Sequence, residues 1–87
     1  MPYRIDYAPK AQKQLGAIRD ARILAPLKRA IAGLATTPRP PGCAKMAGAQ
    51  DQWRIRVGDW RVVYAVQDGA LVVLVVTVAV RGGVGVG

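Results

Sequence analysis

Twelve consecutive residues constrain this chain more than any others: Trp53-Arg54-Ile55-Arg56-Val57-Gly58-Asp59-Trp60-Arg61-Val62-Val63-Tyr64. Two alternating runs flank Gly58-Asp59, the pattern of a β-hairpin closed by a two-residue turn. Such a turn pairs Val57 with Trp60, Arg56 with Arg61, Ile55 with Val62, Arg54 with Val63 and Trp53 with Tyr64. Successive strand side chains point to opposite faces. One face therefore receives Trp53, Ile55, Val57, Trp60, Val62 and Tyr64, and the other Arg54, Arg56 and Arg61 with Val63. Like charges directly opposite each other destabilise a sheet. Setting Arg56 across from Arg61, with Arg54 beside them, therefore points to an anion to be held. The rigid guanidinium fork matches phosphate oxygens best. The aromatic residues share their face with Ile55 and Val62, which makes them core rather than base-stacking platforms.

The rest of the chain fits one small domain. It has 87 residues, 52% of them hydrophobic, which excludes disorder throughout. Thirteen lysines and arginines against five acidic residues give a formal charge of +8. That balance favours nucleic acid, anionic lipid or an acidic protein as partner. Arg54, Arg56, Arg61 and Arg81 lie in or beside strand-like sequence, not in a basic tail. Cys43 is the one cysteine and there is no histidine, so an internal disulfide and a Cys–His nucleophile are excluded and a zinc site is not expected. No metal or cofactor is expected. Arg4 and Asp6 interrupt any signal-peptide core, and the apolar run over 70–80 is too short to cross a bilayer. The default expectation is a cytoplasmic protein that does not bind membranes.

Tyr3-Arg4-Ile5-Asp6-Tyr7 alternates as a strand does. Pro9 suits the first position of a helix, although Ala8 is a poor cap. Ala11, Leu15 and Ile18 form its apolar stripe. Asp20 can cap a second helix, in which Leu24, Leu27, Ile31 and Leu34 share a face. Pro26 interrupts that helix, so its regular part is expected from 26 to 34. The segment Thr36-Thr37-Pro38-Arg39-Pro40-Pro41-Gly42 ends it as an extended loop. A short strand is expected over 44–46 and a loop over 48–52, before the hairpin.

A second turn falls at Gln67-Asp68-Gly69, with a strand over 70–80. A two-residue Asp-Gly loop would put Val72, Leu74 and Val76 on the arginine face. A three-residue loop with Gly69 left-handed shifts the strand by one. Val72, Leu74, Val76, Val78 and Val80 then line the core, and Thr77, Ala79 and Arg81 join the arginines. The second register keeps the polar end of the strand wet and is preferred, although it also turns Val73 and Val75 toward the arginines. The expected architecture is α+β: an N-terminal strand and a helical hairpin packed on a three- to four-stranded antiparallel sheet, arginines on its far face. Residues 1–81 form the single domain, and 82–87 a flexible glycine-rich tail.

These elements and their residues resemble the RelE/ParE superfamily of bacterial toxins. The resemblance spans nearly the whole chain. It rests on the opening Tyr3-x-Ile5-x-Tyr7-x-Pro9-x-Ala11, on Leu34 with Pro38-x-Pro40, on Lys45-Met46-x-Gly48, and above all on the twelve-residue hairpin. Similarity to the RelE branch implies a RelE-like fold and a ribosome-dependent endoribonuclease that cuts mRNA. It also implies a hetero-oligomer with a cognate RelB-like antitoxin, acidic and partly disordered when free. The resemblance places Arg56, Arg61 and Arg81 in the catalytic set, and Arg54, Arg56 and Lys45 on the RNA phosphates. Many relatives end in Gly-His-Arg-x-x-Val-Tyr. Here Val80 stands at the histidine and Gly85, or Gly87 in a longer variant, at the tyrosine.

RNA cleavage by the 2′-OH needs a base, an acid and positive charge on the phosphorane. Arginine supplies the charge but is a poor proton shuttle. Lys45 could shuttle a proton if its pKa were lowered. Tyr64 falls on the core side and Asp59 in the turn. Two further readings follow from the missing tail residues: a ParE-like inhibitor of DNA gyrase, and an inactive toxin that only binds its antitoxin.

Overall fold

The computed structural model describes residues 2–48 and 51–80. Its elements are β1 (Arg4–Tyr7), α1 (Pro9–Gly16), α2 (Ala21–Gly33), β2 (Ala44–Lys45), β3 (Gln52–Val57), β4 (Trp60–Gln67) and β5 (Val72–Val80). The five strands form one sheet in the order β1-β5-β4-β3-β2. Neighbouring strands run antiparallel except β1, which lies parallel to β5 with Arg4 opposite Val72 and Tyr7 opposite Val75. The N-terminal strand thus joins the sheet and makes it mixed. Among the described residues no helix is long and apolar enough to cross a membrane.

Both helices cover one face of the sheet, α1 over β5 and α2 over β3. Ala11, Leu27, Ile31 and Leu34 from the helical layer meet Ile55, Val62, Tyr64, Val66, Val73, Val75 and Val78 from the strands. Trp53, Val57 and Trp60 pack against this core, as their position in the hairpin requires. α1 starts at Pro9 with Ala8 as an N-cap that has no side-chain oxygen to offer. α2 begins five residues ahead of Pro26, where Asp20 Oδ1 accepts from the Arg22 backbone N–H at 2.9 Å. That cap, and the burial of Leu27 and Ile31, carry the helix through the proline. One missing backbone bond costs less than exposing that apolar face.

The last strand corrects the expected register. Residues 68–71 connect β4 to β5, and Leu71, with φ of 56°, is the left-handed residue. Gly69 does not take a positive φ, so the three-residue bulged loop is absent. From Val72 to Val75 the strand follows one parity, with Val73 and Val75 fully buried and Leu74 on the outer face. The pairing then slips. Tyr64 faces Val75 while Val63 faces Thr77, so Val76 is the extra residue of a β-bulge. Beyond it Val78 is buried, and Thr77 and Ala79 turn to the arginine face. Each competing register therefore describes one half of the strand.

β1 ends opposite Val75, which leaves the following edge of β5 without a strand partner on that side. There α1 supplies a side chain: Gln14 Oε1 accepts from the Val78 backbone N–H at 2.6 Å.

Candidate nucleic-acid interface

The hairpin has the register its sequence predicts. Val57 faces Trp60, Arg56 faces Arg61, Ile55 faces Val62, Arg54 faces Val63 and Trp53 faces Tyr64. Gly58 takes φ of 60° at the first turn position, where a II′-type hairpin turn wants glycine. Ile55, Val62 and Tyr64 are buried beneath the helices. Pleating then sends Arg54, Arg56 and Arg61 to the face that no helix covers. Arg54 and Arg61 are half-buried, and Arg56 is exposed.

Across this face the strands set out two rows. One runs Ala44, Arg54, Val63, Thr77, and the next Arg56, Arg61, Ala79. Among the described residues the ion pairs are Arg4–Asp6, Arg22–Asp20 and Arg39–Asp68. Arg54, Arg56 and Arg61 are therefore uncompensated by carboxylates, and two of them are directly opposed. Such an array is stabilised by an anion lying across it. Thr77 adds a hydroxyl that only the Val76 bulge brings to this side.

Lys45 is not brought to the same face. It pairs with Trp53, so its position on the edge strand has the parity of the core side, away from Arg54. Arg81 and the 82–87 segment lie outside the described residues. Tyr64 is fully buried and donates its phenolic hydrogen to the Pro38 carbonyl at 2.8 Å. Burial pushes its phenol well above the ordinary value. It has no reach to the arginine face. The described part of that face thus offers concentrated positive charge and a hydroxyl, but no side chain suited to move a proton near neutral pH.

Two features were not visible in the sequence. Arg39, in the loop after α2, grips Asp68 and lies with its guanidinium carbon 5.3 Å from the centre of the Trp53 ring. Tyr3 donates to the same Asp68 carboxylate at 2.6 Å. These partners are 29 and 65 positions apart, so no local pattern announces them. The loop they hold down also walls a groove of about 420 Å³ between α2 and β3, lined by Ala30, Leu34, Pro40, Pro41 and Arg56 among others.

Two helices packed on a five-stranded mixed sheet match the fold of the RelE-type toxins. The isolated RelE toxin of E. coli is similar at a TM-score of 0.79 and 26% identity, over 91% of this chain and 84% of that one. A chain of the archaeal RelE–RelB complex from Pyrococcus horikoshii gives 0.80 and 26%, over 94% and 98%. A chain of the RelBE2 toxin–antitoxin complex of Mycobacterium tuberculosis shares the fold at 0.77 and 23%, over 93% and 100%. No curated protein matches the sequence significantly. Residues 5–82 match the family described as the ParE toxin of the type II toxin–antitoxin system, parDE. The chain belongs to this family, and so to the RelE/ParE superfamily of type II toxins.

Proposed function

We propose that this toxin is a ribosome-dependent mRNA endoribonuclease whose sheet arginines hold the scissile phosphate. The observation that carries this reading is the set of three arginines, Arg54, Arg56 and Arg61, gathered on the uncovered face without a carboxylate partner among the described residues. In the reaction the 2′-oxygen attacks the adjacent phosphorus and its proton passes to a base. The bond to the 5′-oxygen breaks, and that oxygen takes a proton, leaving a cyclic phosphate and a 5′-hydroxyl. Arg56 and Arg61, with Arg81, neutralise the charge that builds on the phosphorane, and Arg54 and Arg56 fix the backbone. Lys45, at the sheet edge, acts on the RNA at longer range. The face lacks a good proton shuttle, so positioning of the RNA by the ribosome has to supply much of the acceleration. The resemblance to RelE at 26% identity supports the same reading.

A RelB-like antitoxin is the natural partner, since matching chains occur in RelE–RelB complexes. An acidic segment laid over the arginines would compensate them and associate quickly, and the complex would weaken with salt. The toxin would act in the cytoplasm, where its target is.

The second reading is inhibition of DNA gyrase, favoured by the match to the ParE family and by the absence of tyrosine at 85 and 87. Primer-extension mapping of mRNA in a purified translation system, with wild type beside Arg61→Ala, decides between them. Cuts at ribosomal A-site codons that vanish in the variant establish the nuclease. Intact mRNA, with gyrase-linked DNA breaks in a parallel assay, establishes the gyrase reading. Neither effect, with antitoxin still bound, leaves a toxin that only binds its antitoxin.

A further inference from the structure

Valine fills six of the nine positions of β5, and Leu74 and Ala79 fill two more. Thr77 is the strand's only polar residue. Threonine and valine are close in shape and both favour strands, so what position 77 adds is a hydroxyl. Among the described residues no side-chain hydrogen bond engages it. The bulge at Val76 sets where it points. Straight alternation from the buried Val75 would turn residue 77 into the core and Val78 outward, and the slip reverses both.

The register fixes what surrounds the hydroxyl. Thr77 lies directly opposite Val63, and Val63 opposite Arg54, so the three form one row across β5, β4 and β3. Arg61 precedes Val63 by two residues on β4, which makes it the diagonal neighbour of both Thr77 and Arg54. Neighbouring strands are about 4.8 Å apart. Diagonal neighbours are about 7–8 Å apart, within reach of a long side chain. Val63 is therefore an apolar floor with Thr77 on one side, Arg54 on the other and Arg61 at its end. Ala79, across from Arg61, adds no bulk there. We propose that one phosphate of a bound nucleic-acid backbone rests over Val63, and that the Thr77 hydroxyl donates a hydrogen bond to one of its oxygens. This contact rests on the reading that the arginine face binds a phosphodiester, and it adds a neutral ligand to that site. The two unesterified oxygens have lone pairs enough for both guanidiniums and the hydroxyl together. Arginine heads ride on long stems with many rotamers, whereas a threonine hydroxyl is held close to the strand by a stiff χ1. Thr77 thus sets where along β5 the phosphate sits, while the arginines supply the charge.

The test is an NMR titration of the purified toxin with a short single-stranded RNA across a salt series, its 2′-oxygens methylated so that nothing is cleaved. Affinity is read from the backbone amides of Val63 and Ala79, which report on this face alone. Wild type is compared with Thr77→Val, Thr77→Ser and Arg61→Ala, and thermal melts check that each folds. Thr77→Val should weaken binding roughly tenfold, as expected for a hydrogen bond to a charged group. It should leave the slope of log affinity against log salt unchanged, because no charge is lost. Thr77→Ser keeps the donor and should restore most of the affinity. Arg61→Ala should lower the slope by about 1. A DNA strand of the same sequence should suffer the same loss on Thr77→Val, since the contact is to phosphate. If Arg61→Ala weakens binding while Thr77→Val does not, or if Thr77→Ser fails to restore it, the role of Thr77 is overturned and the arginine reading stands. If Arg61→Ala has no effect, both fall together. A loss confined to one of the two strands assigns the hydroxyl to the sugar and overturns the phosphate contact.

Discussion

Arg39 holds Asp68 by two hydrogen bonds, of 2.8 and 3.2 Å, and so ties the loop after α2 to the far turn of the sheet. The carboxyl is drawn down to about 2, first by Arg39 and then by the Tyr3 hydroxyl. A carboxylate whose folded pKa is depressed adds stability above its ordinary range, and that stability disappears as pH falls through the folded value. Urea unfolding midpoints of wild type and Asp68→Asn should differ above about pH 5 and converge by about pH 2. A gap that persists at the acid end would remove the ion pair as its cause. The pair is partly exposed, so the effect is modest and shrinks with salt.

Tyr64 should respond at the other end of the scale. Tyr64→Phe leaves the Pro38 carbonyl without its donor and is expected to cost about 1 kcal/mol in denaturant unfolding. Burial raises the wild-type phenol, so the unfolded chain gives up that proton first, and stability falls as pH rises past about 10. Tyr64→Phe should flatten that alkaline decline.

The opposed pair on the sheet makes a prediction of opposite signs. Arg56→Thr removes the like charge facing Arg61 and adds a β-branched residue. It should stabilise the free protein by about 0.2–1 kcal/mol. The same change should weaken binding of a single-stranded RNA oligonucleotide. Thermal melts with and without that oligonucleotide report both effects, because a ligand raises the melting temperature only by what it binds to the folded state.

Gln14 makes a test of the unpaired edge of β5. Gln14→Ala withdraws the acceptor from the Val78 N–H and is expected to cost about 1 kcal/mol. Amide hydrogen exchange should quicken at Val78 while Val66, in the middle of the sheet, keeps its protection. Equal quickening at both would mean that the whole fold had loosened.

The hairpin was legible because its information is local. A two-residue turn sets every pair from Val57–Trp60 to Trp53–Tyr64, and the aromatic face can only be the buried one. The start of α2 was written in Asp20, but Pro26 concealed it, because burial of Leu27 and Ile31 is a tertiary effect. β5 was half legible. Eight of its nine residues are apolar or alanine-like, so alternation gives no parity, and the slip at Val76 depends on partners in β4 and β1. Of the site, the arginine cluster could be read from the hairpin alone. The placement of Lys45 could not, since a strand as short as β2 gets its register from its neighbour.

The parallel contact between β1 and β5 makes the two outermost strands of the chain mutually dependent. β5 sits between β1 and β4, so the first strand to leave the ribosome has no neighbour until the last has followed it out. β2, β3 and β4 can pair among themselves first, but the five-stranded sheet closes only once β5 is in place, a contact between distant parts of the chain of the kind that slows folding.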